Sequence, residues 1–281
     1  MKKIFGLILT VSLIVISLSG AFASDPGLFA ELGRDEGADE RLAALDQAAE
    51  KLSVSSGSNG SFIEVSQAYF EGDRVYISYR ASGCQVVQDG LDLEDGSYAD
   101  IIAGEETGLD DGSVIGWKEC IVPDDGSPEV HTFRLVYRNS GSDEKKELNF
   151  TLKRHDYDQY LQGVSPAEAC PAEAFLYMGK VDLKGTVLIS SPEQAAGWIA
   201  WLEGEEETGT DVIVFWNLYQ NGELVSPDLF GASEALEDGV VFSVMFPRME
   251  DLSGLTLVPE YSEAGEKPEE AIVLSLTSPE S

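Results

Sequence analysis

An all-β protein built from two tandem β-sandwich domains is what this sequence predicts, on three observations. Residues 62–83, FIEVSQAYFEGDRVYISYRASG, alternate apolar and polar side chains on either side of a Glu71-Gly72-Asp73 step. Ile63, Val65, Gln67 and Tyr69, then Val75, Ile77 and Tyr79, fall on one face, and Glu64, Ser66, Arg74, Ser78 and Arg80 on the other. Period-two alternation around a short polar turn that tolerates positive φ is a β-hairpin, and a hairpin must bury its apolar face against a second sheet to be stable in water. Second, short strands recur along the chain between Gly- and Asp-rich turns, with few helical periods. Third, residues 211–219, DVIVFWNLY, are an unbroken apolar run, as in a strand covered on both faces.

Taken in order, the chain begins with a segment that belongs to no fold. Lys2 and Lys3, an apolar run over 4–18 and the small-x-small triplet Ala21-Phe22-Ala23 make residues 1–23 a Sec-type signal peptide, cleaved between Ala23 and Ser24. The run is shorter than the ~20 residues that span a bilayer. No Cys follows it for lipid attachment, and no second hydrophobic span occurs, so the product expected after cleavage carries no membrane span. Retention of the leader as an anchor is the alternative. Residues 24–60 are acidic and Ala-rich, then Ser/Gly-rich. Leu42, Leu45, Ala49 and Leu52 recur at helical spacing and predict a short helix over 39–51, and SVSSGSNGS at 53–61 reads as a flexible linker.

Residues 61–155 form the first sandwich. After the hairpin, acidic turns fall at Asp89-Gly90, Glu94-Asp95-Gly96 and Asp110-Asp111-Gly112, and strands resume at 114–122, 131–138 and 148–153. Residues 156–171 read as the linker between domains. The second sandwich, 172–281, opens with a strand at 181–190. Ser191-Pro192-Glu193-Gln194 is then a capping box with Pro at the first helical position. It starts the one inserted α-helix, whose Ala195, Trp198, Ile199 and Leu202 share a face. Asn221-Gly222 is a strong hairpin turn, and strands at 240–246, 255–261 and 271–276 complete the domain. An offset of 124 residues, as from Tyr137 to Tyr261, also aligns Pro123 with Pro247, Thr132 with Thr256, Gly141 with Gly265 and Leu152 with Leu276. The domains are therefore expected to be related copies, with both tyrosine rings on the inner face of a next-to-last strand and their hydroxyls on a backbone partner or at the rim.

Composition restricts function. The net charge of −33 becomes −35 once the two leader lysines are removed, which opposes nucleic acid and anionic lipid, whose phosphates demand Lys and Arg. With three cysteines there is no disulfide framework. Cys84 and Cys120 could pair, or each could be an ordinary small buried residue, with Cys170 left as the odd thiol. Only His131 and His155 are available as bases for a nucleophile. No nucleophile elbow, zinc-protease helix or glycine-rich phosphate loop occurs. EF-hand spacing fails at both acidic turns, because Leu91 and Leu93, or Thr107 and Leu109, occupy the first ligand positions. No catalytic residue, metal site or cofactor is predicted. Trp201, off the apolar stripe that holds Trp198, is the candidate exposed aromatic for binding.

The pattern AYFEGDRVYISYR at the hairpin, with GTVLISSPEQAAGWIAWLEG and DLSGLTLVPEYSEAGEKPEE in the second half, resembles a family of Gram-positive extracellular domains of unknown function. These domains form the ectodomains of anti-sigma-factor-like membrane proteins. The resemblance covers roughly 48–276 and implies two Ig-like domains outside the cell, with no catalytic residue to carry over. Those proteins have a cytoplasmic segment before their membrane span, whereas only Met1-Lys2-Lys3 precedes the apolar run here. The expected protein is secreted or cell-surface, bacterial and non-catalytic, binding an extracellular ligand or an envelope protein. Its alternatives are a carbohydrate-binding module or accessory of a carbohydrate-active enzyme, and a structural envelope spacer.

Overall fold

The computed structural model describes residues 27–32, 40–58, 60–94, 96–122, 129–167, 171–203, 211–229 and 232–278. The expected signal peptide with its Ala23–Ser24 junction, and Cys170, lie outside the described residues. Two short helices, α1 (Leu28–Leu32) and α2 (Glu40–Ala48), precede eight strands: β1 (Glu50–Ser58), β2 (Ser61–Glu71), β3 (Arg74–Ser82), β4 (Cys84–Leu93), β5 (Tyr98–Gly108), β6 (Val114–Ile121), β7 (Val130–Asn139) and β8 (Lys145–Lys153). These form one antiparallel sheet in the order β1-β2-β3-β6-β5-β4-β7-β8. It folds over until β1 and β2 touch β8, and the enclosed core includes Ile63, Val65, Phe70, Val75, Ile77, Leu91, Phe133, Leu135 and Phe150.

The second unit runs β9 (Gln159–Val164), β10 (Ala172–Met178), β11 (Asp182–Ile189), α3 (Pro192–Leu202), β12 (Ile213–Gln220), β13 (Glu223–Pro227), β14 (Ala232–Ala235), β15 (Val240–Pro247), β16 (Leu255–Tyr261), β17 (Gly265–Glu266), β18 (Ile272–Val273) and β19 (Ser275–Thr277). One sheet has the order β14-β15-β11-β10-β9-β19 and the other β13-β12-β16-β17, with β18 also paired to β16. Their shared core includes Leu176, Leu183, Val187, Trp198, Trp216, Leu218, Phe242, Phe246 and Leu257. Besides a 3₁₀ turn at Pro268–Glu270, the helix among the described residues of this unit is α3. Ser191 caps it by accepting from the Gln194 N–H at 3.3 Å. The Gln194 side chain does not close the capping box but reaches Asp211 O at 3.1 Å and the Ile213 N–H at 3.1 Å, pinning the start of β12 to the helix. Asn221 and Gly222, with φ of 52° and 85°, supply the two left-handed residues of the β12–β13 turn.

The two units share their connectivity. β1-β2-β3-β6-β5 continues into β4-β7-β8 in the first; β9-β10-β11-β15-β14 and β13-β12-β16-β17 repeat that order in the second. β5 pairs at its start with β4 and afterwards with β6. In the second unit the same path is cut in two, β13 pairing with β12 and β14 with β15. Tyr137 on β7 and Tyr261 on β16 therefore sit on equivalent strands, both buried in their cores. Their hydroxyls reach side chains rather than backbone: Ser56 Oγ at 2.8 Å for Tyr137, and the Glu270 carboxylate for Tyr261.

Several boundaries differ from expectation. The Ser-rich linker over 53–61 is largely β1, because its backbone pairs with β2 and Leu52 and Val54 pack on the core. The interdomain linker over 156–171 contains β9, which pairs with both β10 and β19 and buries Leu161. Asp89-Gly90 lies within β4 and is not a turn. In the opening hairpin a bulge at Ser66 shifts the pairing from Val65–Tyr79 to Gln67–Ser78. One extra residue reverses every later side chain, so Ala68 and Phe70 face the core while Gln67, Tyr69 and Glu71 turn outward.

That outer face is where the two units meet. Tyr69, Tyr76 and Trp117 pack with Phe29 of α1, Leu42 and Leu45 of α2 and Val181 of the second unit. The equivalent hairpins β2–β3 and β10–β11 touch tip to tip. The buried Glu71 carboxylate accepts from the Lys180 N–H at 2.9 and 3.1 Å and from the Tyr69 hydroxyl at 3.0 Å. Gly179 is required here, since a Cβ would stand 2.1 Å from Glu71 Oε2. Gly72, at φ +56°, lies against the Tyr157 ring and leaves no room for a side chain. Arg41 of α2 bridges the units, 2.9 Å from Glu119 on β6 and 3.4 Å from Asp182 on β11, and Lys184 Nζ donates to the Tyr76 hydroxyl at 2.9 Å. No helix among the described residues is long and apolar enough to cross a membrane.

Candidate functional site

A concavity of the first unit lies where its sheet comes apart. β4 and β5 pair only through Leu91–Ala99 and Asp92–Tyr98. Beyond these, β5 pairs with β6 through Gly108. β4 pairs with β7 at Cys84–Val86 and Leu91–Leu93, with a register shift between. The two strands diverge into a cleft of about 780 Å³ lined by Gln85, Val86 and Val87 from β4, Ile101, Gly104, Glu105 and Glu106 from β5, Lys118 from β6 and Arg138 from β7.

Its chemistry is polar. The Tyr79 side chain, buried in the core beneath the cleft, donates its hydroxyl to Glu106 Oε1. Burial and the adjoining Glu106 carboxylate hold that phenol well above its ordinary pKa, so it is a neutral donor at physiological pH. Gly116 of β6 admits the ring, since a Cβ there would approach the Tyr79 hydroxyl to 2.8 Å. Lys118 Nζ lies 5.9 Å from the Tyr79 ring centre, and Arg138 donates to Gln85 Oε1 at 3.2 Å. Glu105 is exposed and has no ionic partner among the described residues. The wall therefore offers carboxylates, an amide, two cations and a phenol around a small apolar floor, an arrangement that can orient a polar ligand.

The residues singled out from sequence lie elsewhere. Cys84 and Cys120 are both free, the second of the two alternatives that stood open. Cys84 begins β4 beside the Ser82 end of β3, and its Sγ lies 2.9 Å from Phe62 O. Cys120 faces Val75 at the opposite end of β3, a separation of about 23 Å along the strand at ~3.3 Å per residue. Burial pushes the Cys120 thiol up to about 12, so it is a packed core residue without thiolate character. Trp201 stands on α3, 42% exposed, with its ring centre 5.9 Å from that of Trp198, which is 6% exposed and packs in the core. Neither tryptophan is near the cleft. His155 stacks on Tyr69, ring centres 5.3 Å apart, at the interdomain groove. Among the described residues no group of three His, Cys, Asp or Glu side chains could hold a metal ion.

Sequence reasoning missed Gln85, Glu105, Glu106, Lys118 and Arg138. They come from four strands, so no spacing relates them. The signal that could have found the place is the loss of alternation in β5, ADIIAGEETG, where the glutamates follow one another instead of alternating with apolar residues.

Comparison with known proteins adds the fold and nothing further. No family model and no curated protein matches the chain. A solved structure described as a conserved domain protein from Bacillus anthracis is similar, with a TM-score of 0.52 at 15% identity over 82% of this chain and 90% of that one. At that identity the likeness is one of architecture.

Proposed function

We propose that this chain is an exported, non-catalytic binding protein of two Ig-like β-sandwich domains, and that the β4–β5 cleft is its ligand site. One observation carries the reading: the first unit leaves its sheet open into a cleft of about 780 Å³ that is walled by Gln85, Glu105, Lys118 and Arg138, while the second unit fills its own seam with α3. The signal peptide and the resemblance to ectodomains of anti-sigma-factor-like regulators support an extracellular ligand or envelope partner. A titration of the mature chain with small polar ligands, oligosaccharides and peptides, followed by backbone amide resonances, tests the site. Shifts confined to β4, β5 and Lys118, lost in a Gln85→Ala/Glu105→Ala double variant, are expected; shifts confined to the second unit overturn it. Mass spectrometry of exported material should begin at Ser24, and intact Met1 in a membrane pellet would make this a tethered ectodomain.

The carbohydrate-module reading has one observation in its favour. Trp201 shares the outer surface of α3 with exposed Ile199 and Leu202, and an exposed aromatic is what sugars stack on. Loss of glycan binding in Trp201→Ala, with the cleft unperturbed, would select that reading.

A further inference from the structure

We propose that the β4–β5 cleft takes an extended, lysine- or arginine-bearing segment of another polypeptide, added as a strand along β5. This rests on the reading of the cleft as a binding site. A strand hydrogen-bonds on two sides, and from Ile101 to Glu106 the β5 backbone meets β6 on one side only. Its other side faces the cleft, and no strand among the described residues pairs there. Open strand edges of this kind are templates for an incoming chain, whose main-chain bonds give affinity and whose alternate side chains give specificity. The free length, about 17 Å at ~3.3 Å per residue, matches a short peptide. The cleft's volume of about 780 Å³ leaves room for side chains beside the edge.

Charge selects the occupant. The β5 wall carries Glu105 and Glu106, and Asp92 and Asp100 stand at the end where β4 and β5 still pair. The two cations of the cleft are already engaged with its own walls, Arg138 with Gln85 and Lys118 over Tyr79. Exposed Glu105 is left to meet an incoming cation. The whole chain, at −33, steers positive partners toward it and repels a second copy of itself.

The test uses the mature chain and three short synthetic peptides: alternating Lys and Val; the same sequence with alternate backbone nitrogens methylated; and alternating Glu and Val. Binding of the first is expected, with hydrogen-exchange protection gained over Ile101–Glu106. Backbone methylation should weaken it about tenfold or more, as should Glu105→Lys, and the Glu peptide should not bind. Glu105 is exposed, so the variant is expected to fold, and the unchanged exchange pattern of its free form checks this. Equal affinity of the methylated peptide, protection gained elsewhere, or no binding at millimolar peptide overturns strand addition. Oligosaccharide or small-ligand shifts at β4, β5 and Lys118 alongside peptide silence would overturn strand addition alone and leave the cleft as a site. Silence of those residues toward every ligand would overturn both.

Discussion

The two units follow the same strand order, with β5 of the first answered by β13 and β14 of the second, and they differ at one further connection. β3 passes to β4 through Gly83 alone, at φ +60°. Its counterpart, from β11 to β12, contains α3, which packs against β12, β14 and β15. That helix lays Trp198 across the seam between the two sheets, its ring centre 6.5 Å from that of Phe242. With no helix to fill it, the same seam in the first unit stays open as the cleft. The same strand order thus accompanies a packed seam where the helix is inserted and an open one where it is not, and the cleft belongs to the unit without the helix. The cleft goes with the absence of a helix at β3–β4 and not with any special motif in β4 or β5.

Removing the plug should produce the largest effect. Trp198→Ala deletes a buried indole whose Nε1 has no hydrogen-bond partner among the described residues, so its contribution is bulk in the core. A loss of about 3–5 kcal/mol is expected in denaturant unfolding, by the transfer and cavity costs of aromatic truncation. A loss below about 1 kcal/mol would mean that α3 rides on the sandwich without closing it, and the contrast between the units would fail.

Next in size is the brace. Arg41 neutralises Glu119 of the first unit and Asp182 of the second, both buried. Burial by itself would lower the guanidinium pKa, but these carboxylates hold it charged, above its ordinary value. Arg41→Ala leaves Glu119 to Arg74 at 3.9 Å and Asp182 to Lys184 at 3.4 Å, and should cost about 2 kcal/mol. The cost falls on the junction and not on either core, so one unfolding transition should separate into two, reported by Trp117 fluorescence in the first unit and Trp216 in the second. Retention of a single transition with unchanged midpoint would show that the units are coupled by other contacts.

Much of the architecture was legible in the sequence because it is written in local chemistry. The Gly72, Gly112, Gly141 and Gly222 turns, the Ser191 cap and the apolar run of β12 each announce themselves within a few residues. β1 was not legible. SVSSGSN carries little apolar signal and is held as a strand by its pairing with β2. β9 hid behind Pro and Gly in the same way. The bulge at Ser66 was invisible because both phases of FIEVSQAYFE present apolar residues, and only pairing decides which is inside. The cleft depends on where two strands cease to pair, a long-range property of register. The weak internal repeat pointed to equivalent strands, yet gave no hint that one seam would be plugged and the other left open.

The smallest effect sharpens the comparison at its point of contact. Glu71 ends β2 and Met178 ends β10, at the tips of the two hairpins. Met178 packs into its own core, whereas Glu71 turns outward and buries a carboxylate at the junction. Burial raises the Glu71 carboxyl above its ordinary 4.5, opposed by the hydrogen bonds from Lys180 N–H and the Tyr69 hydroxyl and by the Lys184 charge, and reinforced by Asp182. The folded state then binds more protons at this site than the unfolded one. The stability it contributes is fully present below pH 4.5 and declines as pH rises through the elevated folded value. Glu71→Gln keeps an acceptor for the Lys180 N–H and removes the charge, so it should match or exceed the parent stability at neutral pH. Its stability should also fall less between pH 4.5 and neutrality. Subtracting the two urea-midpoint profiles removes every other titrating group common to both. Parallel profiles would mean that Glu71 stays ionised in its socket without cost, held by the Lys180 backbone and the positive end of Lys184, and the two hairpin tips would then be energetically alike despite their different side chains.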